Sequence, residues 1–153
     1  MEPLIHLNYS VDKTRLLDEA LQAKVNAVGY TDPRYPGEKH NGWLIGHHMS
    51  EYVQQIMDDL EVDGKPRFYW LMPNETIPEH VDNGTMCSIN IVLTDYAAPI
   101  TIEGKDYEYA TVLLNTQIPH SVTNNDHERI MLKISIFDET YEQLAKRIKY
   151  KND

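Results

Sequence analysis

At residue 65 the spacing of apolar residues changes period, and no other feature constrains the fold as much. Upstream, S-V-D-K-T-R-L-L-D-E-A-L-Q-A-K-V-N-A-V over 10–28 places apolar side chains at 16, 17, 20, 21, 25 and 28, the spacing of an amphipathic helix. Ser10 or Asp12 can cap it, and Gly29 stands where a C-terminal glycine belongs. Val53, Ile56, Met57 and Leu60 form a second helical stripe over 50–60, with Ser50 as its cap. Between the two, T-D-P-R-Y-P-G-E-K-H-N-G-W-L-I-G-H-H is dense in proline and glycine and reads as a long loop. Downstream the period is two. R-F-Y-W-L-M, I-P-E-H-V, C-S-I-N-I-V-L-T, P-I-T-I, D-Y-E-Y, T-V-L-L, P-H-S-V-T and R-I-M-L-K-I-S-I-F follow one another, separated by P-N-E-T, D-N-G, E-G-K and N-N-D turns. So many short strands predict a β-sandwich or jelly roll, and a last helix starts near Asp138 with Leu144 and Ile148 inward.

The chain has 153 residues, 41% hydrophobic and 25% charged, enough for one domain with its own core. We expect a single domain over 1–153: a helical N-terminal part at 1–64, a β-barrel at 65–137 and a C-terminal helix at 138–150. The helices form a layer on one face of the sheet. A net charge of −10 argues against nucleic acid or an anionic membrane as partner, yet leaves small anions open, since one local cation suffices for them. The single Cys87 favours a reducing compartment, no apolar run reaches a membrane span, and M-E-P-L-I-H is unlike an export signal. A soluble cytoplasmic protein is the expectation.

The chemistry-bearing residues lie in the β part. His80 and Asp82, in E-H-V-D-N-G, are two apart at a strand or its end, so both side chains point to one face. His120, in I-P-H-S-V-T-N-N, lies on a later strand. Two neutral imidazoles and a carboxylate on one face of a six-coordinate ion leave three positions open, the ligand set of non-haem Fe(II) sites that activate dioxygen. Arg129 opens a strictly alternating strand with Met131, Lys133 and Ser135 on its own face and Ile130, Leu132, Ile134 and Ile136 on the other. Its planar fork suits a carboxylate bound beside the metal, and 2-oxoglutarate, a chelating keto acid with a distal carboxylate, fits that arrangement. Plainer readings exist for each residue. Asp82 can simply make the D-N-G turn, His120 can be an isolated strand-end histidine, and Arg129 can pair with Glu128 or Asp126.

The stretch from Trp70 to Leu144 resembles the double-stranded β-helix of the Fe(II)/2-oxoglutarate oxygenases, and within them the aspartyl/asparaginyl β-hydroxylase-like group. The motifs that carry the resemblance are H-V-D at 80–82, I-P-H-S-V at 118–122 and E-R-I-M-L-K-I-S-I at 128–136. It implies iron ligation by His80, Asp82 and His120, and binding of the distal carboxylate of 2-oxoglutarate by Arg129. Asn90 stands where the family's aspartyl hydroxylases carry an Arg, and Val92 where they carry a His. Tyr69 falls where a hydroxyl side chain often helps hold the same carboxylate, so Arg129, Tyr69 and Asn90 form the expected cosubstrate set. The animal aspartyl hydroxylases lack the acidic ligand that Asp82 supplies here. The implied reaction consumes dioxygen and 2-oxoglutarate, releases succinate and carbon dioxide, and hydroxylates an unactivated C–H bond in a small-molecule or peptide substrate.

Two other readings stay open. P-H-S-V-T-N, with Asn124 four residues after His120, fits the second half of a cupin signature, which suggests a metal cupin acting without 2-oxoglutarate. A β-sandwich interaction module that keeps the residues without the activity is the other. In the long loop, Arg34, Tyr35, His40 and Trp43 are candidates for substrate contact if that loop folds over the barrel mouth. His40, His47 and His48 lack Cys or acidic partners at ligand spacing and are read as polar rather than as a second metal cluster. Glu79 should face outward, and Cys87 is read as a small strand residue.

Overall fold

Alternating side chains need two environments, and the chain supplies both by stacking two antiparallel sheets and covering one of them with helices. The computed structural model describes residues 2–31 and 39–151. In chain order the elements are β1 (Leu4–His6), α1 (Lys13–Lys24), β2 (Val28–Thr31), β3 (Lys39–His47), α2 (Glu51–Leu60), β4 (Lys65–Leu71) and β5 (Thr76–His80). There follow β6 (Cys87–Val92), β7 (Ile100–Ile102), β8 (Lys105–Tyr107), β9 (Thr111–Leu114), β10 (His120–Thr123), β11 (Arg129–Ile136) and α3 (Tyr141–Arg147). The major sheet has the order β1-β9-β6-β11-β4-β3-β2 and the minor sheet β5-β10-β7-β8. This is a mainly β jelly roll, the double-stranded β-helix, with flanking helices. No described helix is long and apolar enough to cross a membrane.

All eight runs expected after residue 65 form strands. The part at 1–64 is not purely helical, because it also holds β1, β2 and β3, which extend the major sheet at both edges. The expected long loop is partly a strand: β3 pairs with β4 in the register Trp43↔Leu71, Leu44↔Trp70 and Ile45↔Tyr69. Two backbone partners outweigh the glycines. Indeed Gly46 is required, since a Cβ there would stand 2.9 Å from the Trp70 ring and 3.4 Å from the Ala23 carbonyl, where α1 crosses the strand. Residues 32–38 of the expected loop, with Arg34 and Tyr35, lie outside the described residues, as does the side chain of His40.

Helix α1 is shorter than its apolar pattern. It starts at the expected cap, Asp12, whose carboxylate accepts from the Arg15 N–H, and ends at Lys24. Gly29 is therefore no C-cap but a residue of β2. The stripe that packs is Leu16 and Ala20, continued by Ala23 and Ala27, whereas Leu21, Val25 and Val28 are exposed. Helix α2 follows expectation, with Ser50 accepting from the Val53 N–H and Val53, Ile56, Met57 and Leu60 all buried. Helix α3 begins a little later than Asp138, at a Thr140/Gln143 capping box.

Two cores result. Outside the major sheet, α1, α2 and α3 pack on Phe68, Trp70, Ile89, Leu113, Leu132 and Ile134. Each fully buried aliphatic side chain there contributes about 1.5–3 kcal/mol. Cys87 belongs to this core, and burial, with Glu139, Glu142 and Asp138 nearby, pushes its thiol up to about 12. Between the sheets lies the second core, built from Leu71, Ile77, Ile100, Val112, Val122 and Met131 among others. That inner space also contains buried polar groups.

Candidate metal and anion site

Strand pairing brings the two histidines together. His80 ends β5 and His120 begins β10, and the two are direct cross-strand partners. Opposite residues of an antiparallel pair share a face, so both imidazoles enter the space between the sheets, with centroids 4.5 Å apart. Asp82 lies just beyond β5. Its backbone N–H donates to the Thr116 carbonyl at 3.1 Å, and its carbonyl accepts from Gln117 Nε2 at 3.0 Å. These bonds turn the chain so that the carboxylate faces the histidines rather than solvent. Asp82 Oδ1 is 3.3 Å from Nε2 of His80 and 3.3 Å from Nε2 of His120. Glu79, next to His80 on β5, is exposed as expected.

The other ring nitrogens fix what those three atoms present. Nδ1 of His80 lies 2.7 Å from the Pro78 carbonyl and Nδ1 of His120 lies 2.8 Å from the Ile118 carbonyl. A carbonyl only accepts, so Nδ1 carries the proton and Nε2 of each neutral ring carries a lone pair. Two lone pairs and a carboxylate oxygen thus converge on one point without a proton between them. A cation resolves that conflict, and ligands around an ion with ~2.1 Å bonds stand about 3 Å apart when adjacent in an octahedron. The donor set and its outer bonds fit a divalent metal of the facial two-histidine, one-carboxylate kind. Among the described residues this is the only cluster of three such ligands. The side chains of His80, Asp82 and His120 are 17%, 11% and 8% exposed, so water competes little for the site.

Lys133 completes the surroundings. It projects from the inner face of β11 and donates from Nζ to Asp82 Oδ2 at 2.5 Å. Burial works against ionised Asp82, but the positive charge of Lys133, bonded to Oδ2, favours it, and the carboxyl is held below its ordinary range. Burial likewise works against the charge of Lys133, while Tyr69 and Asp82 raise its pKa above the ordinary lysine value. The pair is ionic.

Two alternations back along the same face of β11 lies Arg129, only 3% exposed. Its Nε donates to the Ala98 carbonyl at 3.1 Å, Nη2 to the Tyr109 hydroxyl at 3.1 Å, and Nη1 faces the Met131 sulfur at 3.6 Å. Among the described residues no carboxylate pairs with it. The plainer reading fails, since Glu128 pairs with Lys24 and Asp126 faces His127. A buried guanidinium without a counter-charge is costly, and an incoming anion removes the cost. Asn90, on neighbouring β6, lines the same pocket. Its Oδ1 accepts from Ser88 Oγ at 2.7 Å, and its Nδ2 lies 3.4 Å from the Tyr109 hydroxyl.

The six residues expected to hold metal and cosubstrate thus line one pocket or its edge: His80, Asp82, His120, Arg129, Asn90 and Tyr69. Tyr69 differs in detail. Its ring lies 5.3 Å from Lys133 Nζ, and the hydroxyl bonded to Arg129 belongs to Tyr109 instead. Trp43 also lines the pocket, 5.8 Å from the His80 ring, placed there by β3 rather than by a loop. His47 is exposed and His48 bonds Glu19 at 2.6 Å, both away from the cluster. Sequence reasoning missed Lys133 and Tyr109 as site residues. The inward alternation of β11 signalled the first, and nothing local signalled the second.

No protein-family model matches the chain, and no curated protein matches it in sequence. Solved structures do. A prolyl-4-hydroxylase from Pseudomonas putida aligns with a TM-score of 0.68 at 16% identity, over 88% of this chain and 91% of that one. A prolyl hydroxylase from Trichoplax adhaerens, solved with a hypoxia inducible factor oxygen degradation domain peptide fragment, gives 0.67 at 15%, over 94% and 85%. An oxidoreductase of the 2OG-Fe(II) oxygenase family from Burkholderia pseudomallei gives 0.57 at 15%, over 83% and 79%. At such identities the likeness establishes the fold. The chain has the jelly roll of the 2-oxoglutarate oxygenases.

Proposed function

We propose that the protein is an Fe(II)- and 2-oxoglutarate-dependent oxygenase that hydroxylates an unactivated C–H bond of an amino-acid or peptide side chain. One observation carries the reading: the converging ligand atoms of His80, Asp82 and His120 share their pocket with Arg129, a buried cation with no acid partner among the described residues. Arg129 and Lys133 lie on one face of β11 four residues apart, roughly 13 Å along a strand. That leaves room between the metal ligands and the guanidinium for a short dicarboxylate.

Each residue then has a task. His80, Asp82 and His120 hold the metal, and the Pro78 and Ile118 carbonyls keep both imidazoles in the ligating tautomer. Arg129, oriented by Ala98 and Tyr109, takes the distal carboxylate of 2-oxoglutarate, with Asn90 and Tyr69 in the same wall. Ile77, Ile100 and Val122 keep bulk water from the reacting atoms, and Trp43 beside His80 offers substrate a flat apolar surface. With dioxygen and 2-oxoglutarate, bound iron supplies the oxidant for the C–H bond, and succinate and carbon dioxide are released.

The aspartyl/asparaginyl β-hydroxylase-like motifs favour an amino-acid side chain as the hydroxylated group, and a peptide is the ligand of the Trichoplax enzyme of like fold. The acidic chain disfavours nucleic acid. A cytoplasmic setting, where ferrous iron and a free thiol stay reduced, suits the reaction. Asn124, the residue of the cupin signature, bonds the Leu71, Met72 and His127 carbonyls and serves a turn, so the preference over a cupin rests on the buried Arg129. The test is a succinate-release screen with Fe(II) and 2-oxoglutarate over free amino acids and peptides. A substrate that stimulates succinate formation above the substrate-free background supports the proposal; metal binding with no consumption of 2-oxoglutarate under any condition supports the cupin instead.

A further inference from the structure

Asp82 has two oxygens, and the structure gives them different partners. Oδ1 lies 3.3 Å from each histidine Nε2, while Oδ2 accepts from Lys133 Nζ at 2.5 Å. The lysine side chain is 11% exposed, and Asp82 is its only acid partner among the described residues. A fixed ammonium therefore holds one side of the very carboxylate whose other side faces the ligand cluster.

Two effects follow, with opposite signs for metal binding. The hydrogen bond holds the carboxylate in a single orientation and leaves Oδ1 alone for ligation; outer bonds of that kind are typically worth about 10–100-fold in affinity. Against this, the ammonium draws charge from the carboxylate and repels a dication that must sit ~2.1 Å from Oδ1. That places a single and a double positive charge a few ångströms apart where little water screens them, and such repulsion exceeds an orientation effect. Neutral side chains meet the orientation need equally well, so a lysine at this position does something a glutamine would not.

We infer that Lys133 is a resident counter-cation that competes with the metal for Asp82, keeping the metal-free site paired and folded while lowering its affinity for the ion. The inference rests on the metal reading of the triad. It gives this site weak, exchangeable loading, and it assigns β11 a second task besides carrying Arg129.

The test needs no turnover and no cosubstrate: anaerobic titration with Co(II), followed by visible absorption and calorimetry. Three variants separate charge from orientation. Lys133→Gln keeps an N–H donor without charge, Lys133→Met removes both at similar size, and Lys133→Arg keeps the charge. The glutamine and methionine variants should bind Co(II) at least about 10-fold more tightly than wild type, with the arginine variant within about 3-fold. Equal or weaker binding by the neutral variants overturns the inference. Should Lys133→Met unfold because Asp82 is left buried without a cation, Co(II) must restore its fold by taking the place of the ammonium; persistent unfolding at saturating Co(II) also overturns it. A wild-type protein that binds no Co(II) fails differently, since that removes the metal site and the proposed function together.

Discussion

The two faces of β11 are built from one strand yet obey different rules. Toward the helices, Leu132, Ile134 and Ile136 are at most 1% exposed and belong to the hydrophobic core. Toward the minor sheet, Arg129, Met131, Lys133 and Ser135 are buried too, at 9% exposed or less, but largely polar. Ser135 is bonded to Arg67, Lys133 to Asp82, and Arg129, among the described residues, to neutral groups alone. The helix-side face is complete as it stands. On the proposed function a cation at the triad and an anion at Arg129 would complete the inner face, and a buried polar surface of this kind is a candidate place for chemistry.

That contrast can be broken in order of size. Removing a ligand should do the most: His120→Ala is expected to lower turnover by about 10³-fold or more, by analogy with the loss of any member of a group acting as one unit, while the thermal midpoint scarcely moves. Coupled succinate assays and a melting curve on the same preparation check both halves. Next comes the opposite face. Leu132→Ala should cost about 2–5 kcal/mol in denaturant titrations, with Co(II) affinity unchanged in the folded fraction. A loss of metal affinity there without unfolding would show that the two faces are not independent.

Arg129→Ala is expected to weaken 2-oxoglutarate by roughly 30–150-fold, the worth of about 2–3 kcal/mol of charge-assisted hydrogen bonds, and to spare the metal. Calorimetry with each ligand separately decides; parallel loss of both contradicts the division of labour. Smallest is an exposed pair unrelated to either face. Arg147 donates to Glu139 and holds its carboxyl below the usual range. A depressed folded pKa gives stability that is present above the unfolded pKa and fades as pH falls through the folded one. Arg147→Ala should therefore lower stability at neutral pH by at most about 1 kcal/mol, and the difference from wild type should shrink toward acid pH.

How much of this was legible beforehand follows from the kind of interaction involved. The eight later strands announce themselves by period-two spacing: β4, β6, β9 and β11 alternate between the two environments just compared, and β5, β7 and β10 between the inner space and the more exposed outer face. His80, Asp82, His120 and Arg129 could be placed together because strand parity and a family resemblance both speak to them. Strand β3 was read as a loop since glycines flank Trp43, Leu44 and Ile45, and only pairing with β4 shows that Trp43 and Ile45 face inward while Leu44 faces the helices. Helix α1 was read too long because Val25 and Val28 keep the apolar spacing yet stay in solvent. Tyr109 bonds Arg129 twenty positions further along the chain, a contact set by how β8, β9 and β11 pack and written in no local pattern.

The central claim is that three side chains form a metal site that also binds a keto acid. Anaerobic titration of the protein with Fe(II) and then 2-oxoglutarate tests it most directly, by absorption spectroscopy. A metal-to-ligand charge-transfer band that grows only when both are present, and that His80→Ala abolishes, is the expected result. Wild-type protein that develops no band at saturating Fe(II) and 2-oxoglutarate, or a band that survives His80→Ala, would contradict the account.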